Sequence, residues 1–198
     1  MELIRSPEFD AWLSGLRDVQ GRLQAIRRLD RLGNGNPGDT RPVGGGVSEL
    51  RIDVGPGYRV YYIRRSTTLI IVLAGGDKNS QARDIVSAKR IAHGGGTRVT
   101  PEWAAYDSAD YLTDAELVRG YLTLVLEEND ADELPRAFVT ISRAAGLPAF
   151  ADEIGIDPVR MRTGFGDLHA FDAPLMLLVI RAIGSRLTPV EAERAEAA

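Results

Sequence analysis

The chain has 198 residues, with 24 Lys/Arg against 28 Asp/Glu, two histidines and no cysteine. That length suits one medium domain or two small ones, and the missing cysteine excludes disulfides and thiolate zinc sites. His93 and His169 alone cannot build a histidine-rich metal site, so neither metal nor cofactor is expected.

The segment Met1 to Glu8 is charged and lacks a signal-peptide apolar stretch. The longest clear apolar run, Leu175 to Ile180, falls far short of the roughly 20 residues a bilayer requires. A soluble, cytoplasmic protein with no membrane partner is the expectation. Charge is unevenly spread. Residues 1–96 carry 15 Lys/Arg against 10 Asp/Glu, whereas residues 97–198 carry 9 against 18. A basic half followed by an acidic one suits a polyanion-binding domain joined to a domain that attracts it, although two unrelated domains would also differ in this way. The sign changes at His93-Gly94-Gly95-Gly96-Thr97, which divides the chain into residues 1–93, a linker 94–103 and residues 104–198.

The first half reads as α+β. A short strand at Glu2–Arg5 precedes a helix capped by Ser6 with Pro7 in its first position. Phe9, Trp12, Leu13 and Leu16 repeat at helical spacing, and Val19, Leu23 and Ile26 continue the pattern in a second helix. The other face of that second helix carries Arg22, Arg27, Arg28 and Arg31, read as a solvated stripe or, alternatively, a ribosomal-RNA contact. A flexible loop is expected from Gly33 to Gly46. Three antiparallel strands then follow at Ser48–Val54, Tyr58–Arg64 and Thr68–Ala74, the first pair closed by Gly55-Pro56-Gly57, before a helix from Gln81 to Ala92.

The second half reads as all-helical. Thr113-Asp114-Ala115-Glu116 suggests a capping box with Thr113 as the cap, and further helices fit 133–145, 148–154, 158–165 and 173–183. Thr188-Pro189 would start one more.

Strand alternation defines the candidate catalytic set. Arg51 lies on the face opposite Leu50 and Ile52, while Arg59 and Tyr61 share one face of the next strand. The turn Gly75-Gly76-Asp77-Lys78-Asn79 brings Lys78 to the rim of the sheet. Two arginines, a lysine and a tyrosine suit RNA cleavage without metal. The cations would bind the scissile phosphate and stabilise its developing charge, and the tyrosine would help move protons during 2′-hydroxyl attack. Taken singly, each arginine reads first as a solvated or salt-bridged surface residue, with Glu49 and Asp53 as available partners, and only their joint placement reverses that.

The segments Ser48 to Tyr62 and Val72 to Gln81, followed by Asp84-Ile85, resemble the addiction-module killer proteins of the RelE/HigB superfamily, in particular its phage Gp49-like branch. The resemblance spans about residues 1–92. It implies a compact α+β fold and a ribosome-dependent mRNA endoribonuclease, with Arg51, Arg59 and Lys78 at the basic active-site positions and Tyr61 beside them. Lys89, Arg90 or His93 would supply the further group that related toxins place near their C-terminus.

In the second half, Ala151, Gly155, Ile156 and Met161 have helix-turn-helix spacing, with Asp157 and Pro158 opening the second helix. The exposed side chains of that helix would be Arg160, Arg162 and Thr163, able to meet bases or phosphates of DNA. Tyr106 to Leu112 and Ile141 to Leu147 are similar to HigA-type antidote proteins, and this resemblance implies a restraining antitoxin that also binds operator DNA. Set against that, the acidic balance opposes a DNA backbone, which leaves a helical module that binds only the first half as an equal alternative. The leading expectation is a toxin–antitoxin fusion, held silent by an intramolecular or inter-chain contact, in a homodimer. An autorepressor, or a decayed module without RNase activity, is the alternative.

Overall fold

The computed structural model describes residues 1–93, 103–128, 130, 132–166 and 173–184. The linker expected at 94–103 falls almost wholly outside them, as does the helix expected at Thr188.

Strand β1 (Glu2–Arg5) leads into helix α1 (Pro7–Gly15), whose cap is Ser6 as the sequence predicts. The Ser6 hydroxyl accepts from the Phe9 amide at 3.0 Å and donates to the Leu73 carbonyl, which ties the helix start to the sheet. Helix α2 (Val19–Gly33) follows, capped by Asp18. Strands β2 (Thr40–Gly44), β3 (Val47–Ile52), β4 (Tyr58–Arg64) and β5 (Leu69–Asp77) then run antiparallel in succession, and α3 (Gln81–His93) closes the first half.

Two expectations fail here. The sheet is mixed, because β1 lies parallel to β5, with Glu2 opposite Leu69 and Arg5 opposite Val72. The supposed loop before Gly46 contains β2, which pairs with β3 along the sheet edge. Pro42 fits there because edge strands tolerate its missing amide donor.

The second half is not purely helical either. Ala104–Ala105 forms a two-residue strand, β6, antiparallel to β1, so the six strands run in the order β2-β3-β4-β5-β1-β6. A 3-10 turn at Ser108–Tyr111 leads to α4 (Ala115–Glu127), α5 (Glu133–Arg143), α6 (Leu147–Glu153), α7 (Pro158–Gly166) and α8 (Ala173–Gly184). The cap of α4 is Asp114 rather than Thr113, its carboxylate accepting from the Leu117 amide at 2.9 Å. A carboxylate is the stronger acceptor at a helix N-terminus, where the dipole favours negative charge.

The sheet separates two cores. Leu50, Ile52, Val60 and Val72 join Leu23, Ile26 and Leu29 of α2 in a cluster that continues into Val118, Tyr121, Leu122 and Phe138 of the second half. Val47, Tyr61, Ile71 and Leu73 join Ala88 and Ile91 of α3 on the opposite face. The two halves therefore share one core as well as one sheet. At Gly120 of α4 an added Cβ would run into the Leu23 side chain of α2.

Candidate functional site

The β3–β4 register sets Arg51 directly opposite Arg59 and Glu49 opposite Tyr61. Alternation turns all four side chains toward the α3 face, and Glu49 lies buried among them. Its carboxylate accepts from Arg51 Nε at 3.1 Å and Gln81 Nε2 at 2.6 Å, and it lies 3.6 Å from Arg59 Nε. Arg59 also donates to the Tyr58 carbonyl at 2.8 Å and lies 3.6 Å from Asp53. The arginines are thus held close by carboxylates, as their one-at-a-time reading anticipated. Glu49 pays a role the pattern alone does not reveal: it neutralises part of the charge that would otherwise push two facing arginines apart. Its hydrogen bond raises the pKa of Arg51 above the ordinary guanidinium value.

Lys78 is exposed just past the end of β5, and both its Cβ and the Arg59 guanidinium lie within 4 Å of where a Cβ on Gly57 would stand. Arg51, Arg59 and Lys78 therefore gather at one end of the β3–β4 hairpin. Tyr61 sits apart in character. It is fully buried, its hydroxyl lacks a hydrogen-bond partner, and burial raises its pKa well above that of free tyrosine. A phenol in that state holds its proton and acts as a donor rather than a base. Of the three C-terminal candidates, His93 Nδ1 contacts the Lys89 carbonyl at 2.9 Å, and both side chains pack near Gly45 in the β2–β3 turn.

The arginine stripe of α2 departs most from expectation. It is not a solvated face. Arg27 is 1% exposed, and its guanidinium binds Glu128 at 2.7 Å and Glu133 at 2.9 Å, at the end of α4 and the start of α5. Burial works against its charge, yet the hydrogen bonds to Glu128 and Glu133 raise its pKa beyond the ordinary arginine value. Arg22 donates to the Tyr111 carbonyl at 2.9 Å, Arg31 lies 3.8 Å from Glu128, and Asn34 donates to Glu133 at 3.0 Å. Arg28 alone turns back on its own half, toward the Pro37 and Asp39 carbonyls.

Beside this ladder, Asp30 accepts from Tyr121 at 2.6 Å and from the Ser108 hydroxyl. Asp30 is enclosed by protein except where it lines a cavity of about 520 Å³ between the halves. Burial pushes its carboxyl up to about 6, against the lowering effect of those two hydroxyls and of Arg27. Tyr111 donates to Asp10 at 2.7 Å and Arg5 to Asp110 at 2.8 Å, which extends the contact to α1 and β1. The residues joining the halves escape a sequence reading because each partner lies about a hundred positions away; the opposed charge balance was the available signal.

In the second half, Gly155 takes φ +71° between α6 and α7, and Asp157 accepts from the Arg160 amide at 2.8 Å as the cap of α7. Ala151, Ile156 and Met161 are buried. Arg160, Arg162 and Thr163 are all exposed, Arg160 and Thr163 one helical turn apart, and Arg162 also donates to the Ser142 carbonyl at 2.7 Å, back toward the end of α5.

Residues 11–93 match the family described as "Phage derived protein Gp49-like (DUF891)", and residues 102–190 match the family described as "Probable addiction module antidote protein". The chain belongs to the addiction-module proteins, with a Gp49-like toxin domain followed by an antidote domain. A Haemophilus influenzae protein named "Uncharacterized protein" is 46% identical over 84 residues, covering 42% of this chain and 85% of that protein. No solved structure matches the chain. The Arg27 and Asp30 contacts thus join a toxin domain to an antidote domain, and among the described residues no helix is long and apolar enough to cross a membrane.

Proposed function

We propose that the toxin domain is a ribosome-dependent mRNA endoribonuclease and that the antidote domain restrains it within the same chain. Arg51, Arg59 and Lys78 bind the scissile phosphate and stabilise charge as the 2′-hydroxyl, giving its proton to water, attacks phosphorus and the 5′-oxygen leaves, taking a proton from water. Tyr61, buried and keeping its proton, does not act as the base. The observation that carries the restraint is the burial of the α2 arginines, Arg27 above all, beneath acidic residues of the antidote domain.

The catalytic set faces α3, whereas the antidote domain packs on the α2 side of the sheet. Restraint on this reading comes from covering a basic surface that would otherwise meet ribosomal RNA, leaving the phosphate-binding arginines unobstructed by α4 and α5. A tethered partner has an effective concentration on the order of millimolar, so the docked form is the resting state. The turn at Gly155 and the exposed Arg160 and Thr163 favour a second role in operator binding, with Arg162 anchoring the helix, in a homodimer that would match a two-fold operator.

The test is to express residues 1–93 and the whole chain separately and map breaks in ribosome-bound mRNA by primer extension. Cuts with the soluble toxin segment and none with the whole chain support the reading. An intact mRNA pool in the presence of soluble toxin segment rejects it.

A further inference from the structure

The β5 strand has a one-residue bulge at Leu73, because Tyr61 faces Ala74 while Tyr62 faces Val72. The bulge re-aims the following glycines, so that Gly75 faces α1 and Gly76 faces α3. Strand β1 pairs with β5 only as far as Val72, which leaves this stretch as an edge. Two side chains close on it. The Trp12 indole lies against Gly75 and the Asp84 carboxylate against Gly76, each so near that an added Cβ would collide with it. Between them is a cleft of about 250 Å³, lined by Trp12, Tyr58, Gly75, Gly76, Arg83 and Asp84. Drug-sized ligands take pockets of roughly 300–1,000 Å³, so this one suits a single flat ring system. It adjoins the cationic set, since Gly76 is the cross-strand partner of Arg59 and Lys78 follows two residues later.

We infer that this cleft is a nucleobase subsite for single-stranded RNA, and that it selects guanine. The inference rests on reading the toxin domain as an RNase, but binding itself requires no cleavage. An indole offers a stacking surface for any base. Arg83 has a side chain 83% exposed and only a loose 3.7 Å contact with Asp84, so it is placed to take the nucleotide's phosphate. Asp84 supplies the choice. One of its oxygens is held by the Ser80 hydroxyl, and a carboxylate has acceptor capacity beyond that single bond. Guanine presents two adjacent donors, N1–H and the 2-amino group, to such an acceptor. Uracil presents one N–H between two carbonyl oxygens, which a carboxylate repels.

The test uses the full-length chain carrying Trp103→Phe, which leaves Trp12 as the only tryptophan, titrated with GMP and with UMP while Trp12 fluorescence is read. GMP should quench with half-saturation at about tenfold lower concentration than UMP. Arg83→Ala should weaken both several-fold, and Asp84→Asn, which keeps the bond to Ser80, should erase the preference while quenching persists. Absence of saturable quenching, equal response to GMP and UMP, or a preference untouched by Asp84→Asn overturns the inference. Selective GMP binding by a chain whose toxin segment cuts no mRNA would keep the subsite and reject the RNase reading. Cleaved mRNA without quenching would do the reverse.

Discussion

Arg27 and Glu128 lie 101 residues apart in sequence and meet through two hydrogen bonds, at 2.7 and 3.1 Å, to one carboxylate oxygen. With Glu133 on the other side of the guanidinium, a buried cation of the basic half is held by two carboxylates of the acidic half. Breaking a buried ion pair from one side leaves the partner charge poorly compensated. Arg27→Ala should therefore lower stability by about 3 kcal/mol, read as a fall in the urea midpoint. A midpoint unchanged within error would place the arginine outside the interface.

Little of that contact is legible in the sequence, and the reason is physical. The helical period of α2 separates Leu23, Ile26 and Leu29 from the arginines, and period alone cannot distinguish a solvated polar face from one buried under a distant domain. The same limit hides β6, whose two alanines carry no alternation, and β2, whose Pro42 and flanking glycines read as loop. Features set by near neighbours were readable: the Ser6 cap, the Gly55-Pro56-Gly57 turn, and the alternation that puts Arg51 on one face of its strand and Arg59 with Tyr61 on one face of the next. The role of Glu49 fell between these cases, since a buried carboxylate serving both arginines follows from the pairing register.

Asp30 gives the interface a pH dependence of definite sign. Its carboxyl titrates near 3.8 when unfolded and at about 6 in the fold. The folded chain binds that proton more tightly, so the contribution to stability is greatest below the unfolded value, declines as pH rises, and levels off above about 6. At about 1.4 kcal/mol per pH unit, the decline amounts to roughly 3 kcal/mol. Asp30→Asn should remove this component. Urea melts from pH 4 to 7.5 should show the variant gaining on the parent chain as pH rises, and parallel profiles would contradict the assignment.

Gly120 and Gly15 should respond oppositely to added volume. Gly120→Val drives a side chain into Leu23 between α2 and α4 and should cost about 2 kcal/mol. Gly15 has nothing within 4 Å of an added Cβ, so Gly15→Ala should stabilise by about 0.5 kcal/mol through the backbone entropy that glycine otherwise loses on folding. Thermal melts of the two variants check both signs.

Lys78 separates chemistry from stability. Its side chain is exposed, so Lys78→Ala should leave the urea midpoint within about 0.5 kcal/mol of the parent. Loss of a cation from a developing phosphorane charge should slow mRNA cleavage by the toxin segment about 10²–10³-fold. A fully active Lys78→Ala segment would remove this residue from the site.

On the proposed function, the antidote domain restrains the toxin domain by docking on α2 through Arg27. The most direct measurement is bacterial growth after induction of residues 1–93, alone and together with residues 97–198 supplied as a separate chain. The toxin segment alone should arrest growth, the separate antidote chain should restore it, and Glu128→Ala with Glu133→Ala in the antidote chain should abolish the rescue. Rescue that survives loss of both carboxylates, or unimpeded growth with soluble toxin segment present, would contradict restraint by docking at Arg27.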